Sequence, residues 1–229
     1  MARNRSTRPR RIAHGNSVVV IGLGRFGRSL ALELVDEDTE VLGIDQDPEI
    51  VQSLSGSLTH VVRADSTKED VLRQLSVHEF DRAVVGIGNN IEASILTTSL
   101  LLSFGLREVW AKAVSEPHGR ILSQLGVQHV VYPEHDMGRR VAHLVRGRML
   151  DYIEFEDDFA LVKTNPPADV VGRTLAESGI RSRYGLTVVA VKRPGEGFTY
   201  ATPDTVVQPE DTIIVAGHTR QTERFSELR

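Results

Sequence analysis

Short apolar, β-branched runs alternate with helical stretches through the first part of the chain. Ser17-Val18-Val19-Val20-Ile21-Gly22 is the uninterrupted apolar run expected of a strand buried on both faces. Arg25 to Val35 follows with Phe26, Leu30 and Leu34 at helical spacing. Glu40 to Asp45 reads as the next strand, and Pro48 opens a helix through Leu54, because proline fits the first helical turn. His60 to Asp65, Ala83 to Ile87, Glu108 to Lys112 and His129 to Tyr132 are further strands. The helices between them run from Ser66 to Leu75, Ile91 to Phe104 and Pro117 to Leu125. Strands separated in this way by helices call for parallel pairing with helices on both faces. The expected first domain, residues 16–135, is α/β: a doubly wound parallel sheet of the Rossmann type.

The rhythm changes after that. Residues 136–150 read as a connecting helix, with Val141, Leu144, Val145 and Leu150 apolar. Tyr152 to Phe155 and Phe159 to Val162 are strand-like, and Pro166-Pro167 breaks the chain. A short helix from Gly172 to Gly179, strands at Leu186 to Val191 and Asp211 to Ala216, a turn at Pro194 to Gly197 and a helical end at Arg220 to Leu228 complete the chain. Residues 151–229 are therefore expected to form a small α+β domain.

Composition changes this picture in two places. With 40% hydrophobic and 25% charged residues, the chain is an ordinary globular one. No apolar run approaches the roughly 18–20 residues that span a bilayer, so a link to a membrane is expected to go through a partner or a surface contact. The absence of cysteine excludes disulfides and thiolate metal sites and fits a reducing cytoplasm. The net charge of −4 is uneven. Arg3, Arg5, Arg8, Arg10 and Arg11 make residues 1–15 a basic tail without the apolar segment of a signal peptide. The remainder carries 22 basic against 31 acidic residues, which argues against nucleic-acid binding by the folded part.

The strongest local chemistry is Gly22-Leu23-Gly24-Arg25-Phe26-Gly27, a glycine motif that follows a strand and opens a helix. Gly22 allows the tight turn, Gly24 lets a phosphate approach the backbone, and Gly27 lets the helix pack closely on the sheet. The helix start then offers free N–H groups and a positive dipole end. Asp45 ends the second strand 18 residues after Gly27, where a carboxylate accepts both hydroxyls of an adenosine ribose and repels a 2′-phosphate. Asp65 ends the third strand; it either approaches the adenine, caps the following helix or faces solvent. Arg25 inside the glycine loop suits a ligand with a heavily charged tail.

These residues resemble a known family. Val20 to Gly27 is similar to the opening of the RCK (regulator of potassium conductance) subunits of Ktr- and Trk-type potassium transporters. The likeness continues through Gly86 to Ser94, Val109 to Ala113, Tyr132 to Gly138, Arg181 to Gly185 and Gln208 to Asp211, covering about Asn16 to Leu228. It implies a cytoplasmic regulatory subunit, peripheral at the membrane. Such subunits form homodimers that assemble into homo-octameric rings beneath a membrane potassium-translocating subunit. ATP and ADP would compete for one site and gate potassium uptake. By the match, Gly22, Gly24, Arg25, Phe26, Gly27 and Asp45 hold the nucleotide, Ala64 and Asp65 lie near adenine, and Arg25 reaches the γ-phosphate. Lys112 is a further candidate on the same side of the sheet, and Glu134 would help hold a divalent cation, Mg²⁺ or Ca²⁺. Several members bind cyclic di-AMP through the second domain, where Arg181 matches a phosphate-binding position and Ile180 adjoins it.

Two other functions use the same fold. An NAD-dependent oxidoreductase would share the glycine loop and Asp45, and NAD or NADH remain candidate ligands. No His or Lys pairs with a carboxylate or tyrosine in a catalytic pattern, however, and the second domain is small for a substrate domain. A DNA-binding repressor would need a helix-turn-helix unit, for which the basic tail is too short. The expectation is a regulator rather than an enzyme.

Overall fold

The computed structural model describes residues 17–146 and 149–228. The basic segment at residues 1–15 lies outside the described residues. The chain divides into two compact units, residues 1–134 and 135–229.

In the first unit, β1 (Ser17–Ile21), β2 (Glu40–Asp45), β3 (His60–Arg63), β4 (Arg82–Val85), β5 (Glu108–Lys112) and β6 (His129–Val131) form one sheet in the order β3-β2-β1-β4-β5-β6. Every pairing in it is parallel. The helices are α1 (Arg25–Asp36), α2 (Pro48–Ser53), α3 (Glu69–Gln74), α4 (Ile91–Ser103) and α5 (Glu116–Gln124). Alternate residues of β1 serve two cores. Val18 and Val20 pack with Ala31 of α1 and Leu54 just after α2, whereas Val19 and Ile21 pack with Leu72 of α3, Leu101 of α4 and Leu122 of α5. Burial on both faces explains the uninterrupted valine run, and the doubly wound α/β expectation is borne out.

Some element ends differ from expectation for local reasons. The third helix begins at Glu69 rather than Ser66, because the Asp65 carboxylate accepts the Thr67 N–H at 3.0 Å and hydroxyl at 2.7 Å and so forms a turn there. The helix expected over 136–150 is α6 (Pro133–Arg146): proline starts it early, and Met149 already belongs to a strand.

In the second unit, β7 (Met149–Glu154), β8 (Phe159–Thr164), β9 (Thr187–Lys192), β10 (Phe198–Tyr200) and β11 (Thr212–His218) form an antiparallel sheet in the order β10-β9-β11-β8-β7. Helices α7 (Leu175–Ser178), α8 (Ile180–Tyr184) and α9 (Thr219–Ser226) accompany it. Its core gathers Tyr152, Val162, Ile180, Leu186, Val215 and Phe225. The helix expected from Gly172 to Gly179 is only the one turn of α7, started by a capping box between Thr174 and Glu177 and stopped by Gly179 at φ 62°.

Candidate functional site

The site is built where β1 meets α1. Gly22 leaves the strand at φ 87°, with its N–H on the Ile44 carbonyl at 2.8 Å, and the Gly86 N–H bonds Ile21 at 2.7 Å. The chain end of β1 is thus fixed between β2 and β4, where the strand order reverses and a crevice opens at the carboxyl ends of the strands. Gly27 is required by contact, because a Cβ there would stand 2.0 Å from the Gly22 carbonyl oxygen. Gly24 is different. It has an ordinary φ of −61°, and a Cβ on it would meet nothing within 4 Å. Neither backbone strain nor internal packing accounts for glycine at this position, which faces the crevice as the N-cap of α1. No side chain caps the first-turn amides of α1 and no acidic residue sits among them, so the helix start is free to take an anion.

Asp45 stands beside this turn. Its Oδ2 accepts the Leu23 N–H at 2.6 Å and its Oδ1 the Asp47 N–H at 2.9 Å. The two bonds fix the carboxylate on the wall of the crevice and leave lone pairs for a diol. The cleft has a volume of about 1170 Å³ and brings together Gly22, Gly24, Arg25, Phe26, Asp45, Ala64, Lys112 and Glu134 of the residues singled out by sequence. Gly27 lies behind the loop as a packing residue. Asp65 is not on the wall; its carboxylate is held by Thr67 and by the Gln46 amide at 3.0 Å, while Ala64 and Ser66 line the cleft in its place. Thr67's hydroxyl, then its N–H, hold the Asp65 carboxyl below the ordinary value of 3.8.

On the far side, Lys112 is buried and donates to Glu134 Oε1 at 2.5 Å, with its ammonium 6.0 Å from the Phe26 ring. That hydrogen bond pulls the Glu134 carboxyl below its ordinary value, and the Lys112 and Arg25 charges add to the effect. Glu134 belongs to the first turn of α6 and its side chain is 62% exposed. Among the described residues no group of three or more His, Cys, Asp or Glu is placed to hold a metal ion. A single carboxylate with one oxygen on Lys112 fits a divalent cation only as one ligand beside others, such as phosphate oxygens.

The loop Gly86-Ile87-Gly88-Asn89-Asn90 also lines the cleft, although sequence reading gave it no binding role. Its place after β4, the neighbour of β1, was the available signal. Asn90 caps α4 through Oδ1 on the Ala93 N–H at 3.0 Å. His118 is buried at the start of α5, and burial pushes its pKa down; it is a packing residue.

In the second unit Ile180 is 3% exposed within the core. Its side chain packs inward and only Arg181 of that pair reaches solvent. The neighbouring Arg183 is engaged with Asp169, which also accepts the Tyr184 hydroxyl at 2.6 Å.

A doubly wound sheet with an uncapped helix start at its crevice, followed by a small antiparallel unit, defines a two-domain protein of the Rossmann-like α/β class. The TrkA-N domain family matches residues 18–133 and the TrkA-C domain family residues 159–229. The chain is 40% identical over 207 residues to Ktr system potassium uptake protein C of Bacillus subtilis, covering 90% of this chain and 94% of that one. It is 33% identical to Ktr system potassium uptake protein A of the same organism, again covering 90% of this chain and 93% of the relative. Among solved structures, the GsuK RCK domain superposes with a TM-score of 0.65 at 19% identity, covering 99% of this chain and 50% of that one. The chain belongs to the TrkA-type RCK family, together with the Ktr potassium uptake proteins. Among the described residues no helix is long and apolar enough to cross a membrane.

Proposed function

We propose that this chain is a cytoplasmic regulatory subunit that binds ATP and ADP in the β1–α1 cleft and thereby gates potassium uptake through a separate membrane subunit. The observation that carries the reading is Gly24. It is a glycine that neither backbone strain nor packing requires, at a free helix start, beside a carboxylate fixed on the Leu23 N–H. Phosphates take the α1 amides and Arg25, and Asp45 takes the ribose hydroxyls. Asp47 and Glu49 beside Asp45 make a 2′-phosphate still less welcome. Ala64 and Ser66 are the neighbours of the base.

ATP differs from ADP by the charge of one phosphate. A ligand shifts a conformational equilibrium only through different affinities for its two states. Arg25 is the residue that supplies the difference. A divalent cation, Mg²⁺ or Ca²⁺, would share Glu134 with the nucleotide's own oxygens and offset their charge. Homodimers assembling into an octameric ring would carry the change to the membrane partner. Exposed apolar side chains on α4 and α5 support self-association: Ile91 at 44%, Leu96 at 45% and Ile121 at 41%. Cyclic di-AMP remains a candidate ligand of the second unit through Arg181. Ile180 would serve only as support from behind.

A structure of the GsuK channel bound to NAD shares this fold, with a TM-score of 0.65 at 20% identity over 91% of this chain and 38% of that one. NAD and NADH therefore belong among the ligands tested. The experiment is a titration of the purified protein with ATP, ADP, NAD, NADH and cyclic di-AMP, with particle mass measured in each state. Micromolar binding of ATP and ADP, lost in a folded Asp45→Ala variant, is expected. Undiminished ATP affinity in that variant would defeat the assignment. Turnover of NADH with any small carbonyl substrate would move the chain to the oxidoreductases.

A further inference from the structure

The Lys112–Glu134 pair is lopsided. Lys112 is 8% exposed as a residue, whereas the Glu134 side chain is 62% exposed. A buried ammonium must keep a partner, because desolvating it without one costs several kcal/mol or more. A carboxylate on the rim needs only water. The pair can therefore lose Glu134 to solvent at little cost, provided that another anion takes its place on Lys112. The ammonium is already on the cleft wall, beside Phe26 at 6.0 Å and against Gly88, where a Cβ would come within 3.3 Å of Nζ.

The charges around it make exchange preferable to sharing. The cleft presents four acids, Asp45, Asp47, Glu49 and Glu134, against two bases, Arg25 and Lys112. A phosphate chain brought to Lys112 while Glu134 stayed in place would put two anions on one ammonium at low solvent exposure. Distance adds a length requirement. β5, which ends in Lys112, lies two strands from β1, and strands are about 4.8 Å apart. A phosphate docked at the start of α1 is therefore roughly 10 Å from the line of β5, and only a longer chain covers that span with the help of the lysine stem.

Resting on the nucleotide reading above, we propose that Lys112 is a shared cation. It holds Glu134 when the cleft contains no polyphosphate, and it passes to the terminal phosphates of a nucleotide that is long enough. The length of the phosphate chain is then read as release of Glu134 at the first turn of α6.

The test uses the full chain in EDTA, so that no divalent cation contributes. Crystal structures without ligand and with AMP should keep Nζ on Glu134, and the structure with ATP should have Nζ on phosphate and Glu134 turned to solvent. In solution, Lys112→Met should lower the preference for ATP over AMP about tenfold, the scale of one charge-assisted hydrogen bond. Both affinities are taken on protein whose cooperative urea transition shows that the variant is folded, and the readout is their ratio. An ATP complex with the Lys112–Glu134 bond intact overturns the proposal, as does an unchanged ATP-to-AMP preference in the variant. If wild-type protein binds neither nucleotide, the reading of the cleft itself fails. If both bind and Lys112 stays on Glu134, only the exchange fails.

Discussion

Gly24 and Gly27 stand three residues apart at the start of α1 for opposite reasons, and substitution separates them. A methyl at Gly27 would meet the Gly22 carbonyl at 2.0 Å, a backbone atom that cannot move aside without displacing β1. Gly27→Ala should therefore destabilise the first unit by about 3 kcal/mol, the upper end of overpacking costs, measured as a lowered urea midpoint. A methyl at Gly24 meets nothing, so Gly24→Ala should keep the wild-type midpoint and weaken ATP binding. The prediction falls if the two variants lose stability equally. Arg25 allows a finer test: Arg25→Ala should bring ATP and ADP affinities closer together in paired titrations, and a constant ratio would remove it from γ-phosphate recognition. The glycines, Arg25 and Asp45 were legible because a strand-turn-helix motif fixes where its residues point. Asp65 and Ile180 were not. Whether a strand-end carboxylate faces a ligand or folds back on Thr67 depends on one side-chain torsion. Whether an isoleucine faces a ligand or a core depends on which turn of a five-residue helix it occupies.

Elements followed the same division. The inner strand β1 was readable as an apolar run, since burial on both faces leaves no polar positions to confuse the pattern. The ends of helices were less so, because side chains compete for the backbone there. Asp65 is the clearest case, and it leaves a signature in pH. Its carboxyl is held below the ordinary value of 3.8 by Thr67 and Gln46. A group whose folded value is depressed contributes stability that is fully present above the unfolded value and lost as pH falls through the folded one. Asp65→Asn keeps the turn geometry without the charge. The stability gap between wild type and this variant should thus be full above about pH 5 and close progressively below the ordinary value. Urea midpoints taken as a pH series measure it, and a gap that stays constant into acid would show that the charge is not what holds the turn. Strand β10 escaped the sequence altogether: three residues at a sheet edge, all exposed, are too short to set up an alternation.

At the scale of the whole molecule, what matters is why the first unit carries so much uncovered apolar surface. Helix α4 is apolar around most of its circumference, yet its inward face holds Ser94, Thr97 and Thr98 while Ile91 and Leu96 point outward. A helix of that kind is ordinarily covered on both sides. Helix α5 adds Ile121, at 41% exposure, and Leu125 follows at its C-cap, at 38%. A second copy of the chain is the occupant that the homodimer proposal supplies, and a nucleotide-dependent assembly needs contacts of this type close to the cleft, whose wall includes the α4 cap Asn90. Introducing one charge into the patch separates assembly from ligand binding. Leu96→Glu should reduce the particle mass in light scattering, because an interface cannot bury an unpaired carboxylate. ATP affinity per chain should fall only to the extent that the partner contributes to the cleft. Because Leu96 is 45% exposed and lines no part of the cleft, the fold of the isolated chain tolerates the change. An unaltered particle mass would show that α4 is not where copies meet, and the apolar face would then belong to a different partner.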